Sequence, residues 1–291
     1  MRPLKHFFLC IGFFISVINA PIAQHLEFGL EYGFSSYFGD LVPYSGSPSA
    51  VLNSNSFGYY AGVGNRYGTI FLNYTTTEIF GADRESTDLG RKRRNLDFRS
   101  PIKEYGTTIE FNALSLFRKK YTAIQPMIIT GFNIFKFNPQ TEYNGEWIDL
   151  QPLGTEGQGS PLHPDRKKYN LTQISIPIGF GIKYDLNKTV WVGCGLKIRM
   201  TFTDYLDDVS SNYINQDALE SANGPLALEL AFRTDEIDNS ATYPSGVPRG
   251  NPEENDWYMT TYLSIGIRFR DDPTKPPKNR IRTHKTKCFR F

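Results

Sequence analysis

Only a few stretches of this 291-residue sequence carry side chains spaced to do chemistry. FTDYLDDVS sets Asp204, Asp207 and Asp208 within five residues. Three carboxylates so close chelate Ca²⁺ when backbone oxygens complete the shell. Asp side chains also close turns and cap backbone N–H groups, and that is the stronger reading of these three. Histidine is scarce, and His25, His163 and His284 show no metal-ligand spacing; no Gly-x-Ser-x-Gly or His-Glu-x-x-His element stands beside them. His163, in LHPD, is the one credible base for a lipid hydrolase or acyltransferase. GRKRRN gathers Arg91, Lys92, Arg93 and Arg94. Such a run either binds lipopolysaccharide phosphates or an acidic partner, or is a solvated loop tip. No catalytic residue and no cofactor is expected.

Two further charges sit where a strand must position them. In HLEFGLEYGFSSYFGD, Leu26, Phe28, Leu30, Tyr32 and Phe34 alternate with Glu27, Gly29, Glu31, Gly33 and Ser35. A two-residue period makes a strand with one apolar and one polar face. The glutamates therefore face either water or the inside of a barrel.

The N-terminus bears on that choice. Arg2 and Lys5 precede an apolar run from Phe7 to Ile18, and NAPIA offers small residues for cleavage, so residues 1–23 read as a signal peptide. The remaining chain reaches no run of eighteen apolar residues, which excludes spanning helices. A transmembrane barrel escapes that test because its strands are only half apolar, and 14% aromatic residues with 25 glycines suit one. The net charge of +2 gives no general affinity for nucleic acid. Cys10 falls in the signal, and Cys194 and Cys288 are poorly placed to bridge.

The alternation recurs in about eight segments. The clearest run from Ile174 to Tyr184, from Val190 to Phe202 and from Met259 to Phe269. Short connections (NRYG, FRKK, DLNK) alternate with long ones, as in an outer-membrane barrel with tight periplasmic turns and extended outer loops. Glycine, lysine and arginine on the polar faces suit a narrow lumen, in which Lys197, Arg199 and Arg268 neutralise the glutamates. Tyr184, Trp191, Tyr205, Trp257 and Tyr258 stand at strand ends, where aromatic girdles sit. The expected fold is all-β: an eight-stranded antiparallel up-and-down transmembrane β-barrel over 24–270, with long extracellular loops and both termini in the periplasm. PLALELAFRTDEI, from Pro225, forms either a helix or a hairpin arm. EYNGEWIDLQPL is expected to fold back as a lid that buries Trp147.

Arg66, Arg118, Lys119, Lys120 and Lys188 give the short turns a positive balance. Residues 271–291 add a flexible basic tail with seven Lys or Arg against two Asp. These are the candidate residues for steering an acidic periplasmic partner.

Four loop-border stretches go beyond generic barrel physics: YFGD (Tyr37, Phe38, Gly39, Asp40); FNPQTEYNGEWIDLQPLGTEGQG, with Trp147, Gln151, Pro152, Gly154, Glu156 and Gly157; FTDYLDDVS, with Asp204, Tyr205, Asp207 and Asp208; and RGNPEENDWY. Through them the chain resembles the PorG-like outer-membrane barrel family of Bacteroidota-type bacteria. The resemblance implies a non-catalytic accessory of the type IX secretion machinery that anchors periplasmic ring components and in some species supports gliding. It also implies contact with outer-membrane lipid and lipopolysaccharide. The alternatives are a small porin-like or structural barrel and a lipid-modifying enzyme.

Overall fold

The computed structural model describes residues 25–41, 54–117 and 122–270. The expected signal segment and basic tail, with Arg118, Lys119 and Lys120, lie outside the described residues. The strands are β1 (His25–Phe38), β2 (Ser54–Gly64), β3 (Gly68–Ala82), β4 (Asp97–Asn112), β5 (Ile124–Lys136), β6 (Gln140–Tyr143), β7 (Glu146–Asp149), β8 (Thr172–Asp185), β9 (Val190–Thr201) and β10 (Trp257–Arg270). β6 and β7 form a side hairpin whose backbone pairs with the ring at Arg99↔Gln140 and whose Thr141 hydroxyl donates to Asp97 at 2.6 Å. Of the ten strands, that leaves eight in a continuous antiparallel meander. β10 returns to β1, from His25↔Arg270 to Phe38↔Trp257, so the barrel is closed and no edge is left to satisfy.

Short connections occupy one end, the turn end. Between β2 and β3 the Asn65 N–H donates to the Gly68 carbonyl at 2.9 Å. Between β8 and β9 the Asn187 carboxamide oxygen accepts from the N–H groups of Thr189 and Val190, both at 2.8 Å. The opposite, loop end carries α1 (Leu89–Arg94), the single turn α2 (Leu150–Leu153), α3 (Gln216–Asn223) and α4 (Pro225–Ala231). The segment from Pro225 is thus a helix, begun by proline at its first turn and followed by a 3₁₀ turn at Thr234–Glu236. α3 and α4 pack Leu219, Ala227 and Ala231 with Ile214 into a small satellite core.

Side-chain parity decides what the wall separates. Along the middle of the strands most outward positions are apolar and exposed, among them Leu30, Ile128, Ile178, Leu263 and Ile265. Inward positions hold four glutamates against four cations. Lys183 binds Glu27 (3.3 Å) and Glu110, and Lys197 binds Glu31 at 2.6 Å. Arg268 binds Glu27, and also Asp185 at 3.0 Å. Arg199 reaches Glu104 at 3.1 Å rather than the glutamates of the first strand. Aromatic rings fill the space between these pairs, with the Lys183 ammonium 4.3 Å from the Trp191 ring and that of Lys197 4.5 Å from Tyr262. Two lumen glycines make room for rings: a Cβ at Gly29 would stand 2.3 Å from Tyr60, and one at Gly266 2.4 Å from Trp191. The lumen is a packed core.

Two expectations fail here. Trp191 and Tyr258 belong to no outer girdle, because both point inward and are fully buried, while Tyr184 and Trp257 face outward. Trp147 is not under a lid. It remains 42% exposed on the β6–β7 hairpin and lies over the Arg99 guanidinium at 3.6 Å, outside the barrel wall.

Candidate functional site

At the loop end the barrel is stopped by an apolar plug that includes Tyr37, Leu41, Phe98, Phe135, Phe137, Leu206 and Val209. Above and among these lie the loop-border stretches singled out in the sequence, which converge on one buried polar cap.

The cap is built around the end of β1. Inward parity turns Tyr37 toward the axis, where its hydroxyl stands 2.7 Å from Asp207 and 2.8 Å from Asp256. One hydroxyl has one proton, so it donates to one carboxylate and accepts from the other, which must itself be protonated. Asp207 and Asp256 therefore share at least one proton through Tyr37. Backbone N–H groups complete the pair: Val209 donates to Asp207 and Leu206 to Asp256, both at 2.9 Å. Gly39 passes so near that a Cβ there would sit 1.9 Å from both the Asp256 carboxylate and the Tyr37 hydroxyl. Asp40 accepts from the Asn251 N–H at 2.9 Å, which ties the first loop to the last.

A second set crosses it. Glu156, fully buried, accepts from the N–H groups of Ser210 (2.9 Å) and Ser211 (3.0 Å) and from the Arg249 guanidinium at 3.1 Å. Asp208 adopts φ +66° and accepts from Thr155 and from the Tyr169 hydroxyl at 2.6 Å, while Arg249 donates to its backbone carbonyl. Gly154 and Gly157, at φ +63° and +80°, let the GTEGQG loop turn under these groups. Tyr205 stacks on Tyr169 at 4.5 Å, and Gln151 donates to the Tyr169 carbonyl at 3.0 Å. Arg94 clamps Asp83 with two bonds of 2.7 and 2.8 Å and also donates to the backbone carbonyls of Asp40 and Arg249.

The cap's electrostatics follow from burying more acid than base. Burial pushes Asp204 up to about 8, with Asp207, Asp40 and Glu156 adding repulsion. Asp207 and Asp256 rise for the same reason, burial first and neighbouring carboxylates second. Asp208 reaches only about 6, because Arg249, Thr155 and Tyr169 offset its burial. Burial works against the Arg249 charge, yet Glu156 and Asp208 outweigh it and hold the guanidinium protonated.

The expected residues divide accordingly. Tyr37, Gly39, Asp40, Gly154, Glu156, Gly157, Asp204, Tyr205, Asp207 and Asp208 come together, and Gln151 braces them. Phe38 points outward, Pro152 is exposed and Trp147 is remote. Asp204, Asp207 and Asp208 do not form a shared cation shell, since Asp207 faces Tyr37 and Asp208 faces Thr155, Tyr169 and Arg249. Among the described residues no three His, Cys, Asp or Glu side chains converge at metal-binding distance. His163 sits half-exposed in a turn, its backbone N–H donating to the Ser160 carbonyl. In the basic run, Arg94 is structural, Arg93 pairs with Asp238 at 3.2 Å at the surface, and Lys92 is exposed. At the turn end Arg66 lies over the Tyr67 ring and Lys188 is exposed. Asp83 escaped the sequence reading. A lone acid in ADRES carries no spacing signal, and its partner Arg94 was hidden in a basic run.

A family model described as a domain of unknown function, DUF6089, matches residues 5–152. No curated protein matches the chain. Among solved structures it is similar to the attachment invasion locus protein Ail of Yersinia pestis, crystallised with the heparin analogue sucrose octasulfate. Identity there is 8%, covering 85% of this chain and 100% of that one, with a TM-score of 0.38. Neisserial surface protein A gives 9% identity, 84% and 97% coverage and a TM-score of 0.37. A major outer membrane protein of Thermus thermophilus gives 11%, 84% and 99%, and 0.37. The closure of the barrel rests on this chain's own register rather than on these superpositions.

Proposed function

This chain belongs to the DUF6089 family, and we propose that it is a non-catalytic outer-membrane barrel that anchors or assists a protein-secretion machinery of the type IX kind its sequence resembles. The observation that carries this reading is the closed interior. Ion pairs and rings fill the lumen, and the plug and cap stop its loop end, so the protein works through its surfaces. The apolar exterior supports a membrane location. An even strand number puts His25 and Arg270 at the same end as the short turns. We therefore assign that end, with both termini, to the periplasm and the cap to the cell exterior.

On this reading the periplasmic face is where ring components dock. Arg66 and Lys188, with Arg118, Lys119, Lys120 and the tail beyond Arg270, steer an acidic partner over about 8 Å at physiological salt. Deleting the gene should abolish delivery of secreted cargo to the cell surface, and the wild-type copy should restore it. Normal delivery in the deletion strain overturns the secretion role while leaving the barrel assignment intact. Truncation after Arg270 separates the charge argument: the barrel still inserts, but partner co-purification weakens and becomes more sensitive to salt.

A further inference from the structure

The outer wall is not uniform. Along β9 the outward positions from Val190 to Phe202 are all apolar or cysteine. Along β3 the apolar stripe holds only Ile70, Leu72 and Tyr74 before Thr76 ends it. At the same level on the two following strands the stripe ends in Lys103 and Lys136, which the register sets directly opposite one another. Both are exposed outward positions, and no carboxylate lies within salt-bridge distance of either among the described residues. Like charges directly opposite on one face of a sheet repel. An anion between the two side chains would relieve that repulsion.

Next to Lys103 the wall is hollowed. A groove of about 900 Å³ runs from Val190 on β9 and Ile265 and Ile267 on β10 across β1, β2 and β3 to Tyr105 on β4, with Leu30, Tyr59, Leu72 and Tyr74 along it and the small Ala61 beside them. Its upper edge is a ladder of three tyrosines in cross-strand register, ring centres 5.1 Å apart for Tyr59–Tyr74 and 4.7 Å for Tyr74–Tyr105. Tyr105 is two residues from Lys103 on the same face of β4, so the β4 end of the groove lies beside Lys103, with Lys136 opposite it in register. An apolar channel with positive charge at its headgroup end has the shape and charge of an anionic amphiphile. Tyrosine rings mark the boundary level, where their hydroxyls meet polar headgroups and their rings meet acyl chains.

We propose that this wall holds one net-anionic lipid with a phosphomonoester headgroup in the leaflet on the loop side, its phosphate between Lys103 and Lys136 and an acyl chain in the groove over Ala61. The proposal rests on the membrane reading of the outer wall and adds a specific lipid site to it. The lysines supply charge-assisted hydrogen bonds to the phosphate oxygens, and the groove removes acyl surface from competing mobile lipid.

The test uses the full mature chain folded in detergent and examined by native mass spectrometry with dimyristoyl phosphatidic acid, dimyristoyl phosphatidylcholine or inorganic phosphate. One phosphatidic acid should stay bound, with at least tenfold preference over phosphatidylcholine. Lys103→Gln with Lys136→Gln should remove that preference, and Ala61→Trp should weaken retention while leaving heat-modifiable migration unchanged. Equal retention of the two lipids overturns the proposal, as does retention that survives the lysine exchanges. Inorganic phosphate that displaces the lipid at equal concentration reduces the site to a bare anion pair and overturns the lipid assignment. Failure of the wild-type chain to insert into vesicles is a separate outcome and rejects the membrane reading itself.

Discussion

The lumen and the cap both bury carboxylates, and they neutralise them in different ways. In the lumen Glu27, Glu31, Glu104 and Glu110 meet Lys183, Lys197, Arg199 and Arg268, one cation for each acid. In the cap Asp40, Asp83, Glu156, Asp204, Asp207, Asp208 and Asp256 face chiefly Arg94 and Arg249. The excess is held by backbone N–H groups and by protons. A buried acid paired with a base resists pH change near neutrality, whereas one kept neutral by a proton does not. The same carboxyl group thus makes a permanent seal in one region and a titratable joint in the other.

The largest effect should come from breaking a lumen pair. Glu104→Ala leaves the fully buried Arg199 without its carboxylate and should cost about 3–5 kcal/mol. The measurement is the temperature at which the unboiled band converts to the unfolded one. Exchanging both partners, Glu104→Leu with Arg199→Met, should recover most of that loss, and no loss in the single variant would remove the contrast between the regions. Next is Gly39→Ala. Its Cβ must displace the Tyr37–Asp256 contact, so it should loosen the cap by about 1–3 kcal/mol while the barrel melts unchanged. Proteolysis of the outer loops, set beside heat-modifiability, separates the two responses.

The pH response sharpens the comparison. Burial raises the cap aspartates above their values in an unfolded chain, so their protonated forms favour the folded cap. That stabilisation is complete below about pH 4 and is lost as pH climbs through about 6 for Asp208 and about 8 for Asp204. Hydrogen exchange in 202–211, corrected for intrinsic rate, should quicken between pH 5 and about 8 at up to about 1.4 kcal/mol per pH unit for each titrating group. The barrel strands should show no such trend. Asp207→Asn removes one titrating member of the Tyr37 pair and should flatten the slope. The smallest effect is expected at the surface: Arg93→Ala breaks an exposed pair with Asp238 and should leave both regions unchanged in the same assays.

Much of this contrast was legible in the residues, though unevenly. Strict alternation put Glu27 and Glu31 on one polar face, and the alternating short and long connections then sent that face into a lumen, with Lys197 and Arg268 as neighbours. Partner choice was not readable, because whether Arg199 meets Glu104 or Glu31 depends on stagger around the ring. Trp191 was misplaced by attending to its position at a strand end, when its parity with Gly193 and Gly195 already marked it as inward. Trp147 was misplaced because apolar residues in a long loop suggested a lid, whereas a guanidinium on the outer wall offered its ring a stacking partner. The cap's stretches stood out in the sequence, but no local pattern announces that loops some fifty to two hundred residues apart, such as those of Asp207 and Tyr37, will share a proton.

The central claim is that the barrel is sealed, so that whatever the protein does is done by its surfaces. Planar-bilayer recording of the purified, heat-modifiable barrel tests it most directly. The packed lumen and plug predict no conductance steps at neutral pH, before or after Gly39→Ala loosens the cap. Reproducible ohmic steps from the folded wild-type barrel would contradict the account and return the protein to the class of open channels.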